Sequence, residues 1–194
     1  MKKVLVFDVE TNGLPKKYKA PMTDLDNWPR VAQMAWGVHD LETGETVFKD
    51  SMVYPDGWEI PKEDFFIKNN MSTERCMEEG VELSHVLEEF IDDINQCDLL
   101  VAHNMTYDYN VVGSEMIRLG LKAKKKLPQY CTKDETTNLL KLPGQYGGYK
   151  WPKLEELHQF LFGKDFEGAH DALFDVKATL SCFQELNNRG LVNA

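Results

Sequence analysis

Near its N terminus the chain carries two carboxylates inside an apolar run, Val4-Leu5-Val6-Phe7-Asp8-Val9-Glu10. Such a run is of β type and predicts a buried central strand over Val4–Val9. Side chains two apart on a strand share a face, so Asp8 and Glu10 point the same way near its end. Two carboxylates on one face repel, which costs stability unless a cation sits between them. Polar strand ends are common, and the pair taken alone fits a strand that simply reaches solvent. The continuation Thr11-Asn12-Gly13-Leu14 makes the segment more specific. It supplies backbone donors and a small residue where a ligand can approach.

The remaining pattern places this strand in an α/β domain. Residues Lys16 to Arg30 hold two prolines, Pro21 and Pro29, with Pro15 just before them, and scattered charge, and read as a long loop. Val31–Val38 reads as a second strand, Asp40–Glu45 as a hairpin turn and Thr46–Tyr54 as the returning third strand. Leu83, Val86, Leu87, Phe90, Ile91 and Ile94 mark an amphipathic helix. Asp98–Ala102 predicts another short buried strand. A helix follows from about Thr106 to Leu119, with Gly120 as its stop. Pro128–Thr132 reads as an edge strand. Leu154, Leu157 and Leu161 mark a further helix, with Pro152 near its first turn. A last helix is predicted over Ala172–Asn188, with Ala172, Val176, Leu180 and Phe183 facing inward. An opening meander followed by β-α alternation predicts a mixed sheet with helices on its faces. A length of 194 residues predicts one domain, 1–194, with an ample core.

Composition narrows the function classes. Hydrophobic residues at 42% fit a globular protein. No apolar run approaches the ~20 residues needed to span a bilayer. The run after Met1-Lys2-Lys3 is too short for a secretory signal and is broken by acids, so a cytoplasmic location is expected. Cys76, Cys97, Cys131 and Cys182 form no Cys-x-x-Cys pair, which predicts reduced thiols rather than a zinc site. The net charge of −10, from 22 basic and 32 acidic residues, argues against a broad non-specific nucleic-acid surface. It does not exclude a nuclease, because acidic metal ligands are counted in it and bound cations offset them locally. Two basic clusters remain, Lys16, Lys17 and Lys19, and Lys122 with Lys124, Lys125 and Lys126; each could guide a backbone, and a solvated loop explains the second as well.

Two further clusters match the first. His103-Asn104-Met105-Thr106-Tyr107-Asp108 follows a predicted strand, where open α/β sheets place their ligands. Asp108 lies four residues before Val112, on the core side of its helix. A first-turn acid offsetting the helix dipole is the alternative for Asp108. A core-capping role is the better reading of His103. His170 and Asp175, in His170-Asp171-Ala172-Leu173-Phe174-Asp175, would be ~140° apart on a continuous helix and would not share a face. With the helix beginning near Asp171, that residue is the N-cap, His170 lies in the preceding loop and Asp175 projects from the helix. Singly, each cluster has a structural explanation. Jointly, four carboxylates and a histidine are the complement of a two-metal phosphodiester-cleaving site.

In this order the clusters resemble the DEDDh 3′–5′ exonucleases, of ribonuclease-H-like fold, which include the proofreading ε subunit of bacterial DNA polymerase III. The resemblance rests on Phe7-Asp8-Val9-Glu10-Thr11-Asn12-Gly13-Leu14, on His103-Asn104 with Tyr107-Asp108, and on His170 with Asp175 and Ala178-Thr179. It spans nearly the whole chain, and the gap from His170 to Asp175 points to the histidine subtype. The resemblance implies a mixed five-stranded sheet flanked by helices. It implies two divalent cations about 4 Å apart, Mg²⁺ with Mn²⁺ able to substitute. Asp8 would bridge both, Glu10 and Asp175 would complete one, and Asp108 would serve the other. His170 would be the general base, histidine being the side chain that titrates near neutral pH. Thr11 would contact the terminal sugar, Leu14 would wedge between the last bases, and Asn104 and Tyr107 would line the pocket. Tyr18 and Trp28 in the long loop offer stacking faces, with hydrophobic anchoring of that loop the alternative.

The implied activity is release of nucleoside 5′-monophosphates from 3′ ends of single-stranded nucleic acid, DNA favoured. The alternatives are an RNA-trimming exoribonuclease, a proofreading or repair subunit partnered by a polymerase or by a second copy, and a non-catalytic binding module of the same fold. The chain ends shortly after its last helix, without the segment by which a proofreading subunit docks, so a stand-alone exonuclease is expected.

Overall fold

The computed structural model describes residues 2–192. Five strands form one mixed sheet in the order β3-β2-β1-β4-β5. These are β1 (Lys3–Thr11), β2 (Val31–Asp40), β3 (Thr46–Met52), β4 (Leu99–Ala102) and β5 (Gln129–Cys131). β1 is central, as its apolar run requires. It pairs antiparallel with β2, from Lys3↔Asp40 to Glu10↔Gln33, with an irregularity in register between Glu10 and Thr11. It pairs parallel with β4 through Val4↔Leu99, Leu5↔Leu100 and Val6↔Val101. β1 and β4 therefore end at the same edge of the sheet.

Among the described residues there are also seven helices: α1 (Asp64–Lys68), α2 (Thr73–Glu79), α3 (Leu83–Ile94), α4 (Met105–Arg118), α5 (Thr132–Leu140), α6 (Leu154–Phe162) and α7 (Ala172–Asn188). The alternation along β1 divides the core in two. Leu5, Phe7 and Val9 pack with Val86, Leu87 and Phe90 of α3 and Val111 and Val112 of α4. Val4 and Val6 pack on the other face with Ala172, Val176, Leu180 and Phe183 of α7. Each such buried side chain contributes about 1.5–3 kcal/mol. By the same alternation Asp8 and Glu10 belong to the α7 face. α4 begins just beyond β4, so its first turn, like the end of β1, lies at the edge where ligands gather in open sheets.

The predicted meander, the α3 stripe, the α4 stop and the bounds of α7 agree with the structure. The helices α1, α2 and α5 were not anticipated. The stretch from Lys16 to Arg30 is a loop, but an anchored one. Trp28 is buried and donates its Nε1–H to the Pro21 carbonyl at 3.0 Å. The Asn27 side chain bonds to both Lys17 N and Lys17 O, at 2.7 and 3.0 Å. Trp28 is thus the loop's hydrophobic anchor and offers no free stacking face, whereas Tyr18 is exposed. Of the second basic cluster, Lys125 donates to the Cys97 carbonyl at 2.5 Å. No helix among the described residues is long and apolar enough to cross a membrane.

Candidate metal centre and strand-end cleft

Three elements carry the acids to one place. β1 supplies Asp8 and Glu10. α4, on one face of the sheet, supplies Asp108 from its first turn, and α7, on the other, supplies Asp175 from its first turn. Asp171 caps α7, accepting from Leu173 N at 3.1 Å and Phe174 N at 3.4 Å. His170 precedes the cap in a left-handed conformation, φ 70°. Its backbone N–H donates to Asp175 Oδ2 at 3.2 Å, and its ring packs edge-on against Phe65, centroids 5.5 Å apart. Gly168 allows this loop: its φ is +81°, and a Cβ there would meet the Phe174 ring at 2.5 Å.

Glu10, His170 and Asp175 each offer a ligand atom, and these atoms all lie within 4.8 Å of one another. Asp8 and Asp108 stand outside that trio but within electrostatic reach of it. Burial, then the charges of Asp108, Glu10 and Asp175, pushes the Asp8 carboxyl well above the usual carboxylate range. Asp108 is raised well above that range too, first by burial and then by Glu10, with the Lys133 ammonium pulling the other way. Burial and the charges of Asp175 and Asp171 push Glu10 up to about 8. Asp175 is raised to about 7, chiefly by burial and against the hydrogen bond from His170 N. Asp108 Oδ2 is buried and has no hydrogen-bond partner. A buried carboxylate oxygen without a partner is costly. Clustered hard oxygen donors with one such unpartnered atom suit a divalent cation.

Beside the acids runs a cleft of about 730 Å³ lined by Glu10, Thr11, Leu14, Tyr18, Asn104, Tyr107 and His170 among others. All four residues expected to hold substrate therefore share one cleft with two of the five expected catalytic residues. Thr11 Oγ1 and Tyr107 Oη are 2.7 Å apart, and Thr11 donates to the Gly13 carbonyl at 2.7 Å. Leu14 is 74% exposed at the cleft. His103 lies between α5 and the chain before α6, its nitrogens 2.9 Å from Thr132 Oγ1 and 3.1 Å from the Pro152 carbonyl. It holds elements together rather than facing the acids, in keeping with the core-capping reading.

Three contributors went unpredicted. Phe65 of α1 forms part of the cleft wall. Lys133 of α5 donates to Asn104 Oδ1 at 2.5 Å. Gln33, opposite Glu10 on β2, donates to Asp50 Oδ1 at 2.9 Å and to Asp171 Oδ2 at 3.4 Å, and accepts from Ala172 N at 3.3 Å. It ties the start of α7 to the sheet. A lone glutamine in the apolar run Val31-Ala32-Gln33-Met34-Ala35-Trp36 was the available signal. Lys133 and Phe65 carried none, since both reach the site only through tertiary packing.

No protein-family model and no curated protein sequence matches this chain. Solved structures do. Exonuclease I of E. coli, in complex with a dT13 oligonucleotide, superposes with a TM-score of 0.75 at 16% identity, over 97% of this chain and 42% of that one. A moderately thermophilic exonuclease I from Methylocaldum szegediense gives 0.69 at 20% identity, over 97% and 41%. Cell-death related nuclease 4 (CRN-4) gives 0.71 at 15% identity, over 97% and 64%. At these identities the likeness is one of fold, the ribonuclease-H-like α/β arrangement. The chain spans about two fifths of the exonuclease I chains it matches.

Proposed function

We propose that the protein is a DEDDh-type, metal-dependent 3′–5′ exonuclease, hydrolysing phosphodiester bonds at the 3′ ends of single-stranded nucleic acid and releasing nucleoside 5′-monophosphates. The observation that carries the reading is the convergence of four carboxylates from β1, α4 and α7, one oxygen of Asp108 being buried without a partner. Asp8, Glu10, Asp108 and Asp175 would hold two divalent cations, Mg²⁺ with Mn²⁺ able to substitute. When bound, the cations supply Lewis-acid stabilisation of the charge that develops on the phosphate. His170, exposed at the cleft beside Glu10 and Asp175, takes the proton of the attacking water as general base. The linked hydroxyls of Thr11 and Tyr107 hold the terminal sugar. Leu14 wedges between the last bases, and Asn104 fixes the opposite wall. DNA is the favoured polymer; the E. coli exonuclease I structures in complex with dT13 and dA16 oligonucleotides support that choice. Nothing in the structural likenesses favours the polymerase III ε subunit, a polymerase partner or a homodimer.

The test is digestion of matched end-labelled single-stranded DNA and RNA, with Mn²⁺ or EDTA, by wild type and Asp8→Ala. Metal-dependent ladders shortening from the 3′ end, absent in the variant, are expected. Equal cleavage by Asp8→Ala, or none by either protein, would remove the reading.

A further inference from the structure

Lys133 connects the cleft to a second surface. Besides donating to Asn104, its ammonium lies 4.9 Å from the centroid of the Trp151 ring. Trp151 belongs to the segment 141–153, Lys-Leu-Pro-Gly-Gln-Tyr-Gly-Gly-Tyr-Lys-Trp-Pro-Lys, which has three lysines and no acid in a chain of net charge −10. The segment turns back on itself. Gly144 N donates to Gly148 O at 3.0 Å, Lys150 N donates to Leu142 O at 2.9 Å, and Pro143 bridges Tyr149. Gly147 and Gly148, with φ of 90° and 68°, supply the left-handed steps of the turn. This hairpin holds Tyr146 94% exposed, Trp151 66% and Tyr149 49%.

One exposed aromatic needs no explanation; three within six residues, on a segment whose only charges are positive, mark a binding surface. Glu156 engages Lys150. Lys133, Lys141 and Lys153 are the cations left to face an anion. Aromatic faces interleaved with lysines suit single-stranded nucleic acid, whose every base offers a π-face and whose every link is anionic. A duplex hides its base faces in the stack.

We propose that the hairpin 142–151 is a stacking platform for the single strand upstream of its 3′-terminal nucleotide. Tyr146, Tyr149 and Trp151 carry successive bases, and Lys133 spans from the platform to the cleft. Which end of the strand lies in the cleft rests on the exonuclease reading; the platform's affinity for a single strand does not.

The experiment measures binding of a labelled single-stranded oligonucleotide of about 12 nucleotides by fluorescence anisotropy in EDTA, where nothing is cleaved, alongside digestion of long and dinucleotide substrates with Mn²⁺. Tyr146→Ala comes first, because so exposed a side chain has few contacts to lose; its unfolding midpoint serves as the control. Trp151→Ala and the double variant follow. Affinity is expected to fall roughly tenfold for each aromatic removed, with Tyr146→Phe near wild type. The preference for long substrates over dinucleotides should shrink in step. Wild-type affinity in Tyr146→Ala and in the double variant would overturn the platform, as would undetectable binding by wild type. Loss of metal-dependent digestion with aromatic-dependent binding intact would instead sink the exonuclease reading alone.

Discussion

Asp108 and Asp175 occupy the same position on two helices that pack against opposite faces of one sheet. Each is the fourth residue after its N-cap, Asn104 for α4 and Asp171 for α7. Each backbone N–H is donated to the carbonyl of that cap residue, at 3.2 and 3.0 Å. The two first turns therefore aim equivalent carboxylates at the strand end that carries Asp8 and Glu10. Helix N-termini favour such negative charge by a fraction of a kcal/mol to about 1 kcal/mol each. Burial and mutual repulsion oppose it and win, since all four carboxyls are raised. A cation shared by the cluster would reverse that balance.

Folded-state carboxyls raised above their unfolded values contribute stability at low pH that is lost as pH rises through about 7 for Asp175 and about 8 for Glu10. Metal-free protein should therefore melt lower at pH 8.5 than the same protein with Mg²⁺ or Mn²⁺. Cation at 100 times its dissociation constant adds about 2.7 kcal/mol. Asp8→Asn removes one of the repelling charges. It should raise the metal-free stability at pH 8.5 by on the order of 1 kcal/mol while abolishing cleavage. Thermal unfolding with and without EDTA checks both, and a melting point indifferent to metal would count against the site.

His170→Ala should lower kcat by roughly 10²–10⁴-fold, the usual contribution of a general base. His170 is exposed and its ring rests on Phe65, so the fold should survive the change. The discriminating readout is metal-dependent stabilisation. It should persist in His170→Ala and disappear in Asp8→Ala. Equal loss in both would make His170 a ligand, an arrangement its closeness to Glu10 and Asp175 also permits.

The parts of this molecule legible in its sequence are those where a single element carries its own signal. β1 opens on the apolar run Val4–Phe7, α3 is a clean stripe, and α7 has a capping aspartate followed by inward residues at helical spacing. Asp8, Glu10, Asp108, His170 and Asp175 stood out jointly, by the order of three clusters along the chain, since each cluster alone has a structural explanation. α5 did not stand out, because threonines do the work of apolar residues there. Thr132 and Thr136 are its buried positions, and Thr136 Oγ1 satisfies itself on the Thr132 carbonyl at 2.6 Å. Lys133, one residue along, was hidden with it. α1 and α2 are too short to show a period. Trp28 lay among prolines and charges, and only the approach of the Pro21 carbonyl makes it an anchor. The acid-free stretch 141–153 was not singled out, because its meaning depends on where Lys133 lies.

His103 should give the fold an acid-sensitive step. Burial lowers its pKa to about 4 from an ordinary 6.5. A depressed folded pKa contributes stability that is fully present above pH 6.5 and is lost as pH falls through about 4, at most about 3 kcal/mol here. The carboxylate cluster runs the opposite way, so the comparison must be between variants. Urea unfolding of wild type and His103→Gln at pH 7.5 and pH 4 isolates the histidine. The variant should be weaker at pH 7.5, having lost bonds to Thr132 and Pro152, and the gap should narrow at pH 4. A gap constant with pH would mean that His103 titrates alike in the folded and unfolded chain and that burial does not lower its pKa.

Glu115 tests whether the anchored loop shapes the cleft. Its side chain is fully buried, with Arg30 Nε at 2.8 Å, Val31 N at 3.1 Å and Arg118 Nη1 at 3.1 Å. Arg118 in turn donates to the carbonyls of Leu25 and Trp28, at 2.5 and 3.0 Å. The network fastens the end of the 12–30 loop to α4, and the same loop carries Tyr18, whose ring lies 6.4 Å from that of Tyr107 in the cleft. Glu115→Ala leaves the Val31 N–H without its partner and two arginines without their counter-charge. Because both arginines retain some exposure, the cost should fall at about 2–4 kcal/mol, toward the lower part of the range for broken buried pairs. Glu115→Gln, which keeps an acceptor, should cost less. Below the unfolding transition, the alanine variant should show a raised KM for oligonucleotide with kcat less affected, because Tyr18 loses its position while the acids keep theirs. Urea unfolding and steady-state digestion check the two halves separately. A change within about 0.5 kcal/mol of wild type would show that the loop is held by Trp28 and Asn27 alone.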